Sequence, residues 1–403
     1  MRRFFLGLAA NYNREDRHSQ LFTIGRKEDY KDLQQFLLRK YTGERALLTK
    51  NGRSALALAL KAYFDKGDKI LVNGFTCYAV YEAIKAAGLE PVFADITKTD
   101  LNFNANTLND AWAGSDNSRP WAGDEAGGTP AARSEASTVG ETATAGPAQS
   151  SIKGIIIQNT LGHPTNIVAI EKFATEHNLI IIEDLAHCAG VKYPDGREVG
   201  TVGAATALSF GKDKSIDTVS GGAVIFRHPY KNRIEAPFKT PKLSDHLRAR
   251  FYPTFGAICR VLAHIHLGGA LMRFLVRIHW VEKSADSKLD LKRKPSKFET
   301  RRALIQIKSL SKSGEKPIRE FYLVKNRAEV LAKLKKSGYY FDAFWYEKPV
   351  SPVRYYKKVH FPEESCKNAV YVADHIINLP TYYKKNSLKA AREIIKEYLE
   401  EEQ

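Results

Sequence analysis

The run Ile180–Asp184 is apolar until its last two residues, Glu183 and Asp184. In an open α/β sheet, ligands bind beyond the carboxyl ends of the strands. An ionised Asp at such an end can hold a protonated ring nitrogen and make a pyridine ring an electron sink. A helix cap or a metal ligand would explain the same pair, so alone it decides nothing. A second stretch, Leu208–Phe226, carries Ser209, Lys212 and Lys214 ahead of Gly221 and Gly222. A lysine that attacks an aldehyde must arrive as a neutral amine, which needs a partly desolvated, cation-rich site. Lys212 and Lys214 compete for that part, and a solvated basic turn is the plainer reading. In a third stretch, Lys50–Leu60, Gly52, Arg53 and Ser54 open an apolar helix. Free N–H groups at a helix start bind phosphate, although an N-cap by Ser54 or Asn51 accounts for these residues equally well.

The elements that must position these residues follow from periodicity. The run 30–41 has apolar residues at helical spacing, 42–54 reads as a loop, and 55–64 reads as an apolar helix. Strand-like runs at 69–74, 91–96, 153–160, 179–184, 203–210 and 221–226 alternate with helical runs at 78–88 and 166–178. That alternation predicts an α/β fold whose mostly parallel sheet has helices on both faces. Residues 104–150 are rich in Ala, Gly, Ser and Thr and poor in large aliphatics, and they read as a disordered insertion within one domain. Residues 251–281 are apolar and aromatic, with Arg260, Arg273 and Arg277 spaced through them, and they suggest two amphipathic helices bent at Gly268–Gly269. Such a segment suits either a membrane interface or packing against the core or a partner subunit, and packing is the simpler expectation. The expected organisation is a large domain over 1–235, an apolar and basic linking insertion over 236–300, and a smaller C-terminal α+β domain over 301–403.

Composition narrows the class. The formal net charge of the 403 residues is +17. Residues 1–225 hold 25 Lys/Arg against 26 Asp/Glu, whereas 226–350 hold 28 against 11, so the excess sits in the second half. A basic region can meet nucleic acid, an anionic membrane or a phosphorylated substrate. No zinc-finger, RNP-type or basic-zipper pattern accompanies it, so nucleic acid is not expected. The four cysteines, Cys77, Cys188, Cys259 and Cys366, are far apart, and none forms a CxxC pair. A disulfide framework and a zinc site are therefore not expected, and a reducing cytoplasm fits. No run of about 18 uncharged apolar residues appears, and the first residues lack the pattern of a signal peptide.

Taken together, the three stretches resemble the DegT–StrS group of pyridoxal-phosphate (PLP) dependent sugar aminotransferases, from about residue 30 to 400 with breaks at 104–150 and across much of 228–295. The similarity is carried by Gly52-Arg53-Ser54-Ala55-Leu56, Phe75-Thr76-Cys77-Tyr78-Ala79-Val80 and Leu161-Gly162-His163-Pro164-Thr165-Asn166. It continues through Ile182-Glu183-Asp184-Leu185-Ala186-His187-Cys188-Ala189-Gly190, Ser209-Phe210 with Lys214, Gly221-Gly222-Ala223-Val224 and Leu379-Pro380-Thr381-Tyr382. The resemblance implies a fold-type-I PLP transferase. Lys214 would be the Schiff-base lysine, with Lys212 unused, and Asp184 would pair with the ring nitrogen. His187 would lie at the ring or its hydroxyl, and Gly52, Arg53, Ser54 and Ser209 would hold the phosphate. Where the family stacks an aromatic ring on PLP this chain has Cys77, with Tyr78 and Phe75 beside it. Where the family's neighbouring subunit lends an asparagine, Lys294–Phe298 has none, and Arg301 and Arg302 are the nearby substitutes.

The implied reaction moves an amino group from an amino-acid donor, glutamate above all, to a keto sugar on a nucleoside diphosphate. A homodimer is also implied, because family sites form at a subunit interface. Three other readings compete: a PLP enzyme with a non-sugar or membrane-associated substrate, a non-catalytic regulator or scaffold, and a sugar dehydratase. Dehydratases of this kind carry histidine at the lysine position, so Lys214 argues against that reading.

Overall fold

The computed structural model describes residues 4–5, 22–115, 152–262, 265, 267–281, 287–310, 317–340, 345–382 and 385–400. Its centre is a seven-stranded sheet made of β1 (Arg45–Thr49), β2 (Lys69–Asn73), β3 (Glu90–Ala94), β4 (Ile152–Ile157), β5 (Ile180–Asp184), β6 (Ala205–Ser209) and β7 (Gly222–Phe226). Their order across the sheet is β1-β7-β6-β5-β4-β2-β3. From β3 to β6 neighbouring strands run parallel, while β7 is antiparallel to both β6 and β1. The fold is thus α/β with a mostly parallel mixed sheet flanked by helices, as its alternating elements require.

The strands are apolar on both sides because both faces are covered. Ile156, Ile182, Ala207 and Val224 point into one core, shared with α2 (Gly52–Tyr63) and α3 (Tyr78–Ala86). Ile155, Ile157, Leu208, Ala223 and Ile225 point into the other, with α1 (Glu28–Lys40), α5 (Ile167–Glu176) and α8 (Lys297–Leu310). Period-two alternation of the side chains does this sorting.

Two segments depart from the sequence reading. The expected loop over 42–54 contains β1, which pairs with β7 nearly 180 residues later, from Arg45 opposite Phe226 to Thr49 opposite Gly222. The expected insertion from 104 begins instead with a helix, α4 (Ala105–Gly114). Asn104 and Thr107 form a reciprocal capping box there, Leu108 is fully buried, and Trp112 packs on Phe173 and His177. The rest of that expected insertion lies outside the described residues.

The remaining elements form smaller bodies. Helices α6 (Leu243–Leu262) and α7 (Gly268–Arg277) pack together through Tyr252, Cys259, Leu275 and Val281. Residues 301–310 belong to α8, and Ala303, Leu304 and Ile307 lie in the same core as Leu33 and Leu37 of α1. A separate core joins β8 (Arg319–Leu323) and β9 (Ile376–Pro380), which are antiparallel, to α9 (Arg327–Lys336) and α11 (Lys389–Lys396). Between them, α10 (Lys367–His375) sends Ala369, Val372 and Ala373 into the first core of the large sheet. Thr76 and Cys77 pair with Val350 and Ser351, which ties the C-terminal part to the sheet's ligand-facing end. Among the described residues no helix is long and apolar enough to cross a membrane.

Candidate active site

Strand β5 delivers its two carboxylates to opposite faces of the sheet, where they meet different fates. Glu183 is fully buried and accepts hydrogen bonds from the Tyr193 hydroxyl, from the backbone N–H groups of Gly200, Val202 and Gly203, and from Arg227. It is a saturated structural anion. Asp184 is almost as buried, yet it is seen to accept only the Ala186 N–H, at 2.9 Å. Burial raises its pKa above the ordinary carboxylate value, against the opposing pull of that N–H and of Lys214. A buried carboxylate with so little compensation is suited to a cationic ligand group.

Lys214 and Lys212 lie in different surroundings, and Lys214 is the one beside His187. Its Nζ lies 2.9 Å from His187 Nε2 and 4.7 Å from the centre of the Trp345 ring. Lys212 instead sets its ammonium 4.3 Å from the centre of the Tyr252 ring, on the side of the α6–α7 hairpin. The loop that presents Lys214 is stapled by Asp217, which accepts from the N–H groups of Asp213 and Val219, while its own N–H and C=O bind Gln306.

The hydrogen bonds set the tautomer of a neutral His187. The Leu161 N–H can only donate, so His187 Nδ1, 3.2 Å away, must accept. The proton of a neutral imidazole then sits on Nε2, the atom that faces Lys214 Nζ. Burial drives both groups the same way. The His187 pKa is held well below its ordinary value, first by desolvation and then by the charges of Lys214 and Arg319. That of Lys214 is lowered, again chiefly by burial. Leu161 can aim its N–H this way because it adopts a left-handed backbone (φ 55°) beside Gly162 (φ 88°). A Cβ at Gly162 would come within 2.9 Å of the His187 carbonyl oxygen.

The helix start at Gly52 lies against Ser209, the last residue of β6. A Cβ on Gly52 would sit 2.5 Å from the Ser209 Cβ, so only glycine permits this approach. Asn51 is the N-cap of α2 and accepts from the Ser54 N–H at 3.0 Å. The Ser54 hydroxyl donates to Asn51 Oδ1 and accepts from the Asp290 N–H. The N-cap thus takes the Ser54 N–H, and the Ser54 hydroxyl is shared between Asn51 Oδ1 and the Asp290 N–H. The Arg53 side chain pairs with Glu82.

Cys77 caps α3 and lies close enough to Lys214 and Tyr346 to influence their protonation. The Tyr78 ring stacks on Tyr355 with centroids 4.3 Å apart. The sequence reading did not find three further residues that complete the pocket. Trp345 stacks on the His187 ring, with centroids 5.0 Å apart and planes 25° apart. The Tyr346 hydroxyl lies 3.4 Å from His187 Nε2. Arg319, at the start of β8, is 3 % exposed and places its guanidinium carbon 4.4 Å from the centre of the Trp345 ring. Its NH1 donates to Asn378 Oδ1, and Asn378 in turn donates to the Trp345 carbonyl. No carboxylate pairs with Arg319 among the described residues. Neither Trp345 nor Arg319 stands in a motif, and only the folded chain brings them to Lys214.

The chain matches the model of the DegT/DnrJ/EryC1/StrS aminotransferase family over residues 13–115 and 138–251. It is 30 % identical over 181 residues to a GDP-perosamine synthase of Escherichia coli O157:H7. It is also 30 % identical over 176 residues to a UDP-N-acetyl-3-dehydro-alpha-D-glucosamine 3-aminotransferase of Acidithiobacillus ferrooxidans. These matches cover 45 % and 43 % of the chain, and they span only 40 % and 38 % of the relatives' own lengths. The fold is shared more widely. A family aminotransferase from Brucella abortus superposes with a TM-score of 0.63 over 95 % of both chains, at 17 % identity.

Proposed function

This chain belongs to the DegT/DnrJ/EryC1/StrS aminotransferase family, and from that premise we propose that it is a PLP-dependent aminotransferase whose acceptor is a keto sugar carried on a nucleoside diphosphate and whose donor is an amino acid such as glutamate. The observation that carries this reading is the buried group of Asp184, His187 and Lys214, with Lys214 Nζ 2.9 Å from His187 Nε2 and burial lowering the lysine's pKa.

The residues present fit the cofactor. Asp184, buried and short of hydrogen-bond partners, suits the protonated ring nitrogen. The Gly52 and Arg53 backbone with Ser209 forms the phosphate cup at a helix start. His187 and Trp345 would line the ring's site, and Lys214 would be the covalent anchor. When bound, PLP supplies an electron-withdrawing ring that stabilises negative charge at the Cα of the donor. Asp184 keeps the ring nitrogen protonated. Lys214, free as an amine once the donor is in place, takes the proton from Cα and returns it, as general acid–base catalysis requires. His187 Nε2 orients that amine through the hydrogen bond that already exists. Arg319 receives the donor's carboxylate, because a buried guanidinium with no carboxylate partner among the described residues is prepared for one. Trp345 closes the pocket against water.

The decisive experiment loads wild type and Lys214→Ala with PLP, records the visible spectrum, reduces with borohydride and maps the labelled peptide. The label is expected on Lys214, and the visible band is expected to bleach when glutamate is added. A label on Lys212, or no bound cofactor, would overturn the assignment.

A further inference from the structure

The hairpin of α6 and α7 leaves an apolar ridge exposed, although its inner side is packed. Tyr252, Cys259, Leu275 and Val281 are buried between the two helices. On the outside, Ile258, Val261, Ile265, Leu267, Phe274 and Ile278 are between 42 % and 68 % exposed, and Trp280 is 37 % exposed. On α7 the outward residues fall in two adjacent rows. Phe274 and Ile278 are four apart, Arg273 and Arg277 are four apart, and all four are exposed. Each apolar tip is therefore flanked by a guanidinium on a flexible stem.

Charge selects the occupant of this face. From His246 to Val281 the sequence has five arginines and not one Asp or Glu; Arg248 turns to Asp245 and Arg250 to the Phe298 ring, so Arg273 and Arg277 are the exposed pair beside the apolar tips. A second copy of the chain meeting the same patch about a two-fold axis would set arginine against arginine, because an isologous interface pairs a surface with itself. An anionic bilayer presents the complement: phosphates for the arginines at headgroup depth and acyl chains below for the ridge. Trp280, apolar with one N–H, has the chemistry of a residue at that boundary. We infer that the outer face of the α6–α7 hairpin docks the protein on an anionic phospholipid surface, lying in the headgroup plane without spanning it. A cleft beside the hairpin is lined by Lys50, Lys212, Arg248, Arg293 and Lys294 together with Asp245 and Glu299.

The test is flotation of the full PLP-loaded chain with vesicles of phosphatidylglycerol and phosphatidylcholine, compared with phosphatidylcholine alone. Phe274→Glu and Arg277→Gln are assayed alongside, with sedimentation to follow oligomeric state. Both positions face outward, and the visible spectrum of bound PLP reports that the variants remain folded. Wild type is expected to float with anionic vesicles only and to be released as salt rises. Each variant is expected to bind at least about tenfold more weakly, with unchanged cofactor absorbance. Failure of wild type to float with anionic vesicles, or equal flotation with neutral ones, overturns the inference. So does an oligomer that dissociates on Phe274→Glu while no vesicle is bound. Failure of the wild type itself to bind PLP would count against the cofactor reading instead, and the two failures are distinguishable.

Discussion

At the residue scale, the deciding contrast is between neighbours of the same type. Glu183 and Asp184 are adjacent carboxylates, and Lys212 and Lys214 are two residues apart, yet in each pair only one member enters the pocket. The motif spacing pointed to Asp184 and Lys214. What it could not supply is the environment that makes them reactive: the Leu161 N–H on His187, the Trp345 ring and the Arg319 charge all arrive from distant segments. Lys214→Ala is expected to lower turnover by at least a hundredfold, since anchor and proton carrier vanish together. Added PLP should leave no borohydride-trapped peptide at 214, which mass mapping reads directly. Gly52→Ala tests the cup independently. Its methyl must push Ser209 away, so PLP affinity is expected to fall about tenfold or more while Lys214 still traps what binds; a spectral titration measures both.

At the element scale, β1 and α4 were hidden for different reasons. Arg45–Thr49 is a five-residue run with no alternation to mark it, and its partner strand lies far along the chain. Asn104–Gly114 has a plain helical signature in its capping box and in Leu108 with Trp112, but the small, polar residues that follow masked it. The core strands were legible because burial on both faces leaves long apolar runs. Helix α8 offers a prediction of its own. Ser296 and Glu299 cap it reciprocally, with the Ser296 N–H on Glu299 Oε2 at 2.6 Å. Burial lifts the pKa of Glu299 from 4.5 to about 7. The folded state therefore holds this proton more tightly than the unfolded chain does, so stability is lost as pH rises from about 4.5 to about 7. Glu299→Gln keeps the cap without the charge. Its stability should match wild type below that window and exceed it above by on the order of 2–3 kcal/mol; urea unfolding at pH 4 and pH 8 is the check.

At the scale of the whole molecule, the candidate site is assembled from two bodies with separate cores. The large sheet supplies Gly52, Asp184, His187, Ser209 and Lys214, which are the groups assigned to the cofactor. Strands β8 and β9 supply Arg319 and Asn378, which hold each other and the Trp345 carbonyl. Cofactor binding and donor binding should therefore separate by mutation. Arg319→Gln removes the charge but keeps a donor for Asn378, and its loss of one charge-assisted contact predicts a rise in KM for glutamate of about 10- to 100-fold. PLP affinity, the trapped peptide at Lys214 and the acceptor KM should change little. The Arg319 charge also depresses the protonation of Lys214 and His187. Its removal should therefore shift the pH dependence of the Lys214 amine upward, seen as a higher pH for the acid limb of kcat. A merely structural arginine would lower PLP affinity and donor affinity together and leave the pH profile in place. A rise in donor KM accompanied by the pH shift assigns Arg319 to the reaction.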